Sequence, residues 1–197
     1  MKQAQLAELL YQALETEQGG VKVYTTALKC VQNEELKEEV QKYLEETEHH
    51  VQVVQDLCAT FGLDPETVTP GRKVVRHIGQ SLVKAMEMAL AEGTPEEAEL
   101  VAAECIVHAE TKDHMNWELL GQVVEKLSGP QKKALKEAHE EVEEQEDEHL
   151  YHTTGWAREL WIKALGMPAV LPPPEEEKDV KSAIGAARAK NARREML

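Results

Sequence analysis

At 197 residues, 42% of them hydrophobic, the chain is long enough for one domain with a sizeable core and too short for two large ones. Aromatic residues make up only 4%, and Ala, Leu, Glu, Lys and Gln recur without strand-favouring runs, which argues against β-rich folds and predicts an all-α class. Lys+Arg 22 against Asp+Glu 37 leaves a net charge of −15, which argues against nucleic acid or an anionic membrane as a partner of the bulk of the molecule and favours small cations.

The first helix is expected from Gln3 to Cys30, because Leu6, Leu10, Leu14, Val21, Tyr24 and Leu28 recur at three- and four-residue steps. Asn33 is an N-cap candidate for a second helix that opens on Glu34 and Glu35 and reaches about Phe61, before Gly62 stops it. The short connection makes these two helices antiparallel neighbours. A turn-rich link, Leu63 to Gly71, leads into a shorter helical stretch from Arg72 to Ala91, read as a crossover.

Thr94-Pro95-Glu96-Glu97 supplies a cap, a proline at the first helical position and a glutamate three residues after the cap, so a third long helix starts there and runs to about Leu127. Ser128-Gly129-Pro130 breaks the chain, and a fourth long helix runs on to about Leu165. The bundle is thus assigned to residues 1–166, a Pro- and Glu-rich linker to 167–178, and a basic tail, with the composition of a short docked helix, to 179–197.

Cys30, Cys58 and Cys105 are odd in number and without CxxC spacing, which points to reduced thiols in the cytoplasm. No apolar leader and no run of eighteen apolar residues is present, so neither export nor membrane insertion is expected.

Two of the long helices each carry a carboxylate and an imidazole one turn apart. The fourth has Glu146 and His149; the second has Glu46 with His49 or His50, three or four residues on. The apolar face of the second helix centres roughly 50° from His50, 90° from Glu46 and 150° from His49, which favours His50. Glu17 on the first helix and Glu110 on the third interrupt apolar stripes, and a buried glutamate is costly unless a positive charge neutralises it. Heights agree: Glu17 lies sixteen residues before Asn33, with Glu46 and His50 thirteen and seventeen after it. Glu110 lies nineteen residues before Gly129, with Glu146 and His149 seventeen and twenty after it, whereas Glu104, twenty-five before, is a weaker candidate.

This pattern of a glutamate on the first and third helices and a Glu/His pair on the second and fourth resembles the di-iron carboxylate signature of the ferritin-like superfamily, in its rubrerythrin and bacterioferritin types. Leu44-Glu45-Glu46-Thr47, His50-Val51, His108-Ala109-Glu110 and Phe61-Gly62-Leu63-Asp64-Pro65 are also similar to the stress-induced YciF-like branch. The resemblance implies an antiparallel four-helix bundle with a helical crossover between the second and third long helices. It implies metal ligation by Glu17, Glu46, His50, Glu110, Glu146 and His149, with Glu17 and Glu110 terminal and Glu46 and Glu146 bridging. The usual Glu-x-x-His of the second helix is a departure here, since the pair reads Glu46-x-x-x-His50, and no rubredoxin-like Cys-x-x-Cys pair is present.

Mixed oxygen and nitrogen ligation suits two iron ions, with manganese as the alternative. His114, Tyr24, Tyr43 and Trp117 are placed to support such a site. The expected function is a di-iron oxidoreductase of peroxidase, oxidase or ferroxidase type, taking O2 or hydrogen peroxide and electrons from an unidentified donor. The alternative is a non-catalytic ferritin-like stress-response or structural protein. Such bundles commonly pair, so a homodimer is expected, and the basic tail is a candidate for docking on an acidic surface or a second subunit.

Overall fold

The computed structural model describes residues 2–168; most of the expected linker and all of the basic tail lie outside the described residues. Among the described residues there are five helices and no strand: α1 (Gln3–Cys30), α2 (Glu34–Thr60), α3 (Pro70–Glu92), α4 (Pro95–Val124) and α5 (Gly129–Ala164). The class is all-α, as composition requires.

Local chemistry sets the helix ends. The Asn33 side chain accepts from the backbone N–H groups of Glu35 and Leu36, at 2.9 and 3.1 Å, and starts α2. Gly62, at φ 69°, closes α2 in a left-handed turn, with Leu63 N donating to Cys58 O at 2.8 Å. Thr94 and Glu97 form the reciprocal capping box that opens α4. The crossover helix begins two residues before its expected start, because the hydroxyl of Thr69 accepts from Arg72 N at 3.0 Å and Pro70 fits the first turn.

α1 packs against α2 and α4, and α5 packs against α4 and α2, so the four long helices close a ring. α3 lies outside it, along α1 and α4. Glu15, which is buried, fixes α3 to α1 by accepting from Arg72 Nε at 2.7 Å and from Arg76 Nε and Nη2 at 2.7 Å each. The rest of the Arg72 guanidinium is taken up by Pro65 O, Thr67 O and Gln18 Oε1. At the far end, buried Glu99 of α4 accepts from the backbone N–H groups of Gln32 and Asn33, at 2.8 and 2.7 Å, and satisfies the α1–α2 link. Gly121 of α4 leaves room for the His139 ring of α5, since a Cβ there would meet that ring at 2.1 Å.

The core is two apolar clusters at different heights. One gathers Leu10, Leu14, Val54, Leu57, Trp117, Leu120, Leu135 and Val142; the other gathers Val23, Tyr24, Leu36, Tyr43, Ile106 and Trp156. Along each long helix the chain passes from one cluster to the other across a short segment: near Glu17, His50, Glu110 and Glu146. These segments meet in a polar layer between two dry ones. No helix of the described residues is long and apolar enough to cross a membrane, and the three cysteines are buried and free.

Candidate metal centre

Each long helix contributes to the polar layer. Glu17, His50 and His149 are fully buried, and Glu110 and Glu146 nearly so. His50 Nδ1 lies 3.1 Å from Glu146 Oε1 and 3.7 Å from Glu17 Oε2. His149 Nδ1 lies 3.6 Å from Glu110 Oε2 and 3.7 Å from Glu146 Oε1. Two groups result, Glu17/His50/Glu146 and Glu110/Glu146/His149, each with ligand-type atoms within 4.8 Å of one another. Glu146 belongs to both, and the two imidazole rings stack at 5.9 Å between centroids.

The outward-facing atoms of these side chains are satisfied. His50 Nε2 is bonded to Gln145 Oε1 at 2.7 Å, and His149 Nε2 to Glu46 Oε2 at 2.9 Å. Both acceptors are oxygens, so each ring holds its proton on Nε2 and, when neutral, offers the Nδ1 lone pair to the interior. Trp117 Nε1 donates to Glu17 Oε1 at 2.9 Å, and the Tyr24 hydroxyl donates to Glu110 Oε1 at 2.7 Å.

The inward-facing atoms are not satisfied. Among the described residues, the buried side-chain atoms without a hydrogen-bond partner are Glu17 Oε2, His50 Nδ1, Glu110 Oε2, Asp113 Oδ1, both oxygens of Glu146 and His149 Nδ1. All seven face this one layer. Each orphaned buried polar group costs about 1–3 kcal/mol, so their gathering in one place requires a compensating ligand or proton.

Electrostatics in the metal-free protein supplies protons. Burial works against a charged His50, but the carboxylates of Glu146 and Glu17 raise it to about 11. The same contest at His149, against Glu110 and Glu46, ends at about 9. Burial, then the Glu110 charge, pushes Glu146 up to about 8. Asp113 is carried well above the ordinary carboxylate value by burial and by the charges of Glu17, Glu146 and Glu110. The layer thus favours protons in the metal-free protein, and its donor set of buried carboxylates and imidazoles could hold metal ions.

Five of the six residues singled out from the sequence, Glu17, His50, Glu110, Glu146 and His149, are brought together here, and Glu46 is not in either group. Its flank position turns the carboxylate to the rim, where it meets Lys42 Nζ at 3.7 Å besides His149. His49 points away and pairs with Glu141 at 2.7 Å, so His50 is the inward imidazole of α2. Three residues before His50, the buried position is Thr47. Glu104 bonds Trp161 Nε1 at 2.7 Å, and His114 lies 3.3 Å from Asp147, half-buried.

Asp113 escaped the sequence reading. Its signal was its place three residues after Glu110, roughly 60° around α4 and on the same inward face. Tyr43 adds an aromatic wall, its ring 4.2 Å from that of His149 and its hydroxyl 2.9 Å from His152 Nδ1. No model of a known protein family, no curated protein and no solved structure matches the chain.

Proposed function

We propose that this chain is a ferritin-like di-metal carboxylate protein that binds two iron ions, or manganese in their place, and acts on O2 or hydrogen peroxide. One observation carries the reading: every buried, unpartnered side-chain atom of the described residues lies in the layer between the two apolar clusters, around the shared carboxylate of Glu146.

Glu17 and His50 would hold one ion, Glu110 and His149 the other, and Glu146 would bridge. With Glu46 at the rim, Asp113 supplies the fourth buried carboxylate, and four carboxylates balance two divalent ions. When bound, such a pair supplies two electrons for the reduction of O2 or peroxide. The protein's part is orientation and exclusion. Gln145 and Glu46 hold the two imidazoles with Nδ1 inward, Trp117 and Tyr24 hold the outer oxygens of Glu17 and Glu110, and the apolar clusters above and below keep bulk water out. Burial and the neighbouring carboxylates favour the protonated forms of Glu146 and Asp113 in the metal-free site, so cations entering the layer would compete with those protons.

Anaerobic titration with ferrous ion, followed by hydrogen peroxide, tests the reading. Uptake of two ions per chain and loss of peroxide with oxidation of both ions is the expected result; a chain that takes up no metal ends it. A second reading, a non-catalytic structural or stress-response bundle, is favoured by the rim position of Glu46, which leaves α2 with a single inward ligand. Two ions bound without peroxide turnover would select it.

A further inference from the structure

The polar layer is held differently on its different sides. Trp117 and Tyr24, which fix the outer oxygens of Glu17 and Glu110, are buried, and so is Asn116, which donates to Thr16 Oγ1 at 3.0 Å across the α1–α4 seam. On the α1–α2 side the helices close in, since a Cβ on Gly20 would meet Thr47 Cγ2 at 3.1 Å. Gln145 and Glu46, which fix the two imidazoles, are part exposed, and both stand between α2 and α5. Through these two side chains the hydrogen bonding of the layer reaches water.

A cation of the protein's own already stands at this seam. Lys42 Nζ lies between Glu148 of α5, 2.6 Å from its Oε1, and Glu46 of α2, 3.7 Å from its Oε1. The other oxygen of Glu46 is the one bonded to His149 Nε2, and Nδ1 of the same ring faces Glu110 and Glu146. One imidazole thus separates the carboxylate held by the ammonium from the unpartnered atoms of the layer. The Lys42 side chain is 47% exposed on a flexible four-carbon stem, so its head can swing into water with no change in the backbone.

We infer that divalent cations enter the layer through the α2–α5 seam and that Lys42 is its latch, a resident positive charge that occupies Glu46 and Glu148 until an incoming ion displaces it. The inference rests on the di-metal reading above and adds to it a route of uptake and the residue that controls it. Two carboxylates at one point of a chain of net charge −15 draw cations from solvent, and an ammonium fixed between them opposes a doubly charged ion at the same point. Lys42 has no bond to the inward atoms of the layer, so it sets how fast ions arrive and leaves their number unchanged.

Stopped-flow mixing of the full 197-residue metal-free chain with cobaltous ion tests the latch, with arrival read by quenching of tryptophan fluorescence, since Trp117 is bonded to Glu17, and ions counted by equilibrium dialysis. Lys42→Gln is expected to take up cobalt about 5- to 10-fold faster than wild type with two ions still bound, and Glu148→Gln to be slower by a similar factor. Lys133→Gln and Glu137→Gln change the net charge equally on an exposed pair roughly 16 Å along α5 from Glu148, beyond the screening length, and are expected to stay within about twofold of wild type. A wild-type rate in Lys42→Gln or in Glu148→Gln, an equal acceleration in Lys133→Gln, or loss of an ion from Lys42→Gln each overturns the latch and leaves the di-metal reading standing. A wild-type chain that binds no cobalt overturns both.

Discussion

Glu46 Oε2 stands 2.9 Å from His149 Nε2, on the side of the ring opposite to the nitrogen that faces Glu110 and Glu146. Burial works against the Glu46 charge, yet the hydrogen bond and charge of His149 hold its carboxyl below the usual carboxylate value, with Lys42 and His50 adding to this. The geometry makes it an orienting group. Glu46→Ala is expected to weaken metal binding about 10- to 100-fold while leaving the count at two ions per chain. Anaerobic titration with ferrous or cobaltous ion checks this; loss of one ion would assign Glu46 as a ligand instead.

Asp113 presents the opposite case, a carboxyl driven towards its neutral form by burial and by Glu17, with one oxygen unpartnered. Asp113→Asn keeps the shape, removes an acid from an acid-rich layer and adds a donor. The metal-free protein is expected to gain about 2 kcal/mol, a rise of roughly 4–8 °C in Tm, and to lose metal affinity. Thermal melting with and without metal separates the two effects, and a destabilised metal-free variant would contradict the assignment.

Stability of the metal-free protein is expected to fall as pH rises. His50 and His149 go from an ordinary 6.5 to about 11 and about 9 in the fold, so their contribution is complete below 6.5 and is lost as pH climbs through those raised values. Glu146, raised from 4.5 to about 8, acts in the same direction between those limits, because the folded state again holds the extra proton. Denaturant unfolding at pH 6 and pH 9 measures the difference. Metal removes protons from the same groups, so calorimetric titration in buffers of different ionisation enthalpy is expected to detect proton release on binding.

The attachment of α3 rests on Glu15. Burial opposes its charge, but the guanidinium groups of Arg76 and Arg72 lower its carboxyl below the ordinary value. Glu15→Gln leaves Arg72 buried without its counter-charge and is expected to cost about 3 kcal/mol, roughly 6–12 °C in Tm. Arg76→Ala is expected to cost less, since Arg76 is partly exposed and water screens what it loses. Paired thermal melts give the comparison.

Much of the architecture was legible because helix signals here are local. Asn33, Gly62 and the Thr94–Glu97 box carry their own stop and start chemistry, and three-four spacing marks the buried faces. Thr69 was missed as a cap because it sits among turn residues that read equally well as loop. At the polar layer, a glutamate alone on an apolar stripe was readable at Glu17 and Glu110. Which acid of α2 turned inward was not, since Glu46 lies on the edge of its face and the answer depends on Lys42 and on His149 of another helix. Asp113 was hidden by its neighbour: once Glu110 accounted for the acid on α4, nothing local asked for a second. Glu99, which satisfies backbone groups sixty-six and sixty-seven residues away, has no local signature at all.

Glu15 and Glu17 leave α1 on nearly opposite sides, roughly 200° apart, one gripped by arginines of the outer helix and the other turned into the polar layer. α1 is thereby locked against rolling about its own axis. A connector that looks like mere spacer between two hairpins works as a set-screw: lengthen or shorten it, and the rotation of a helix that faces the centre of the molecule changes with it.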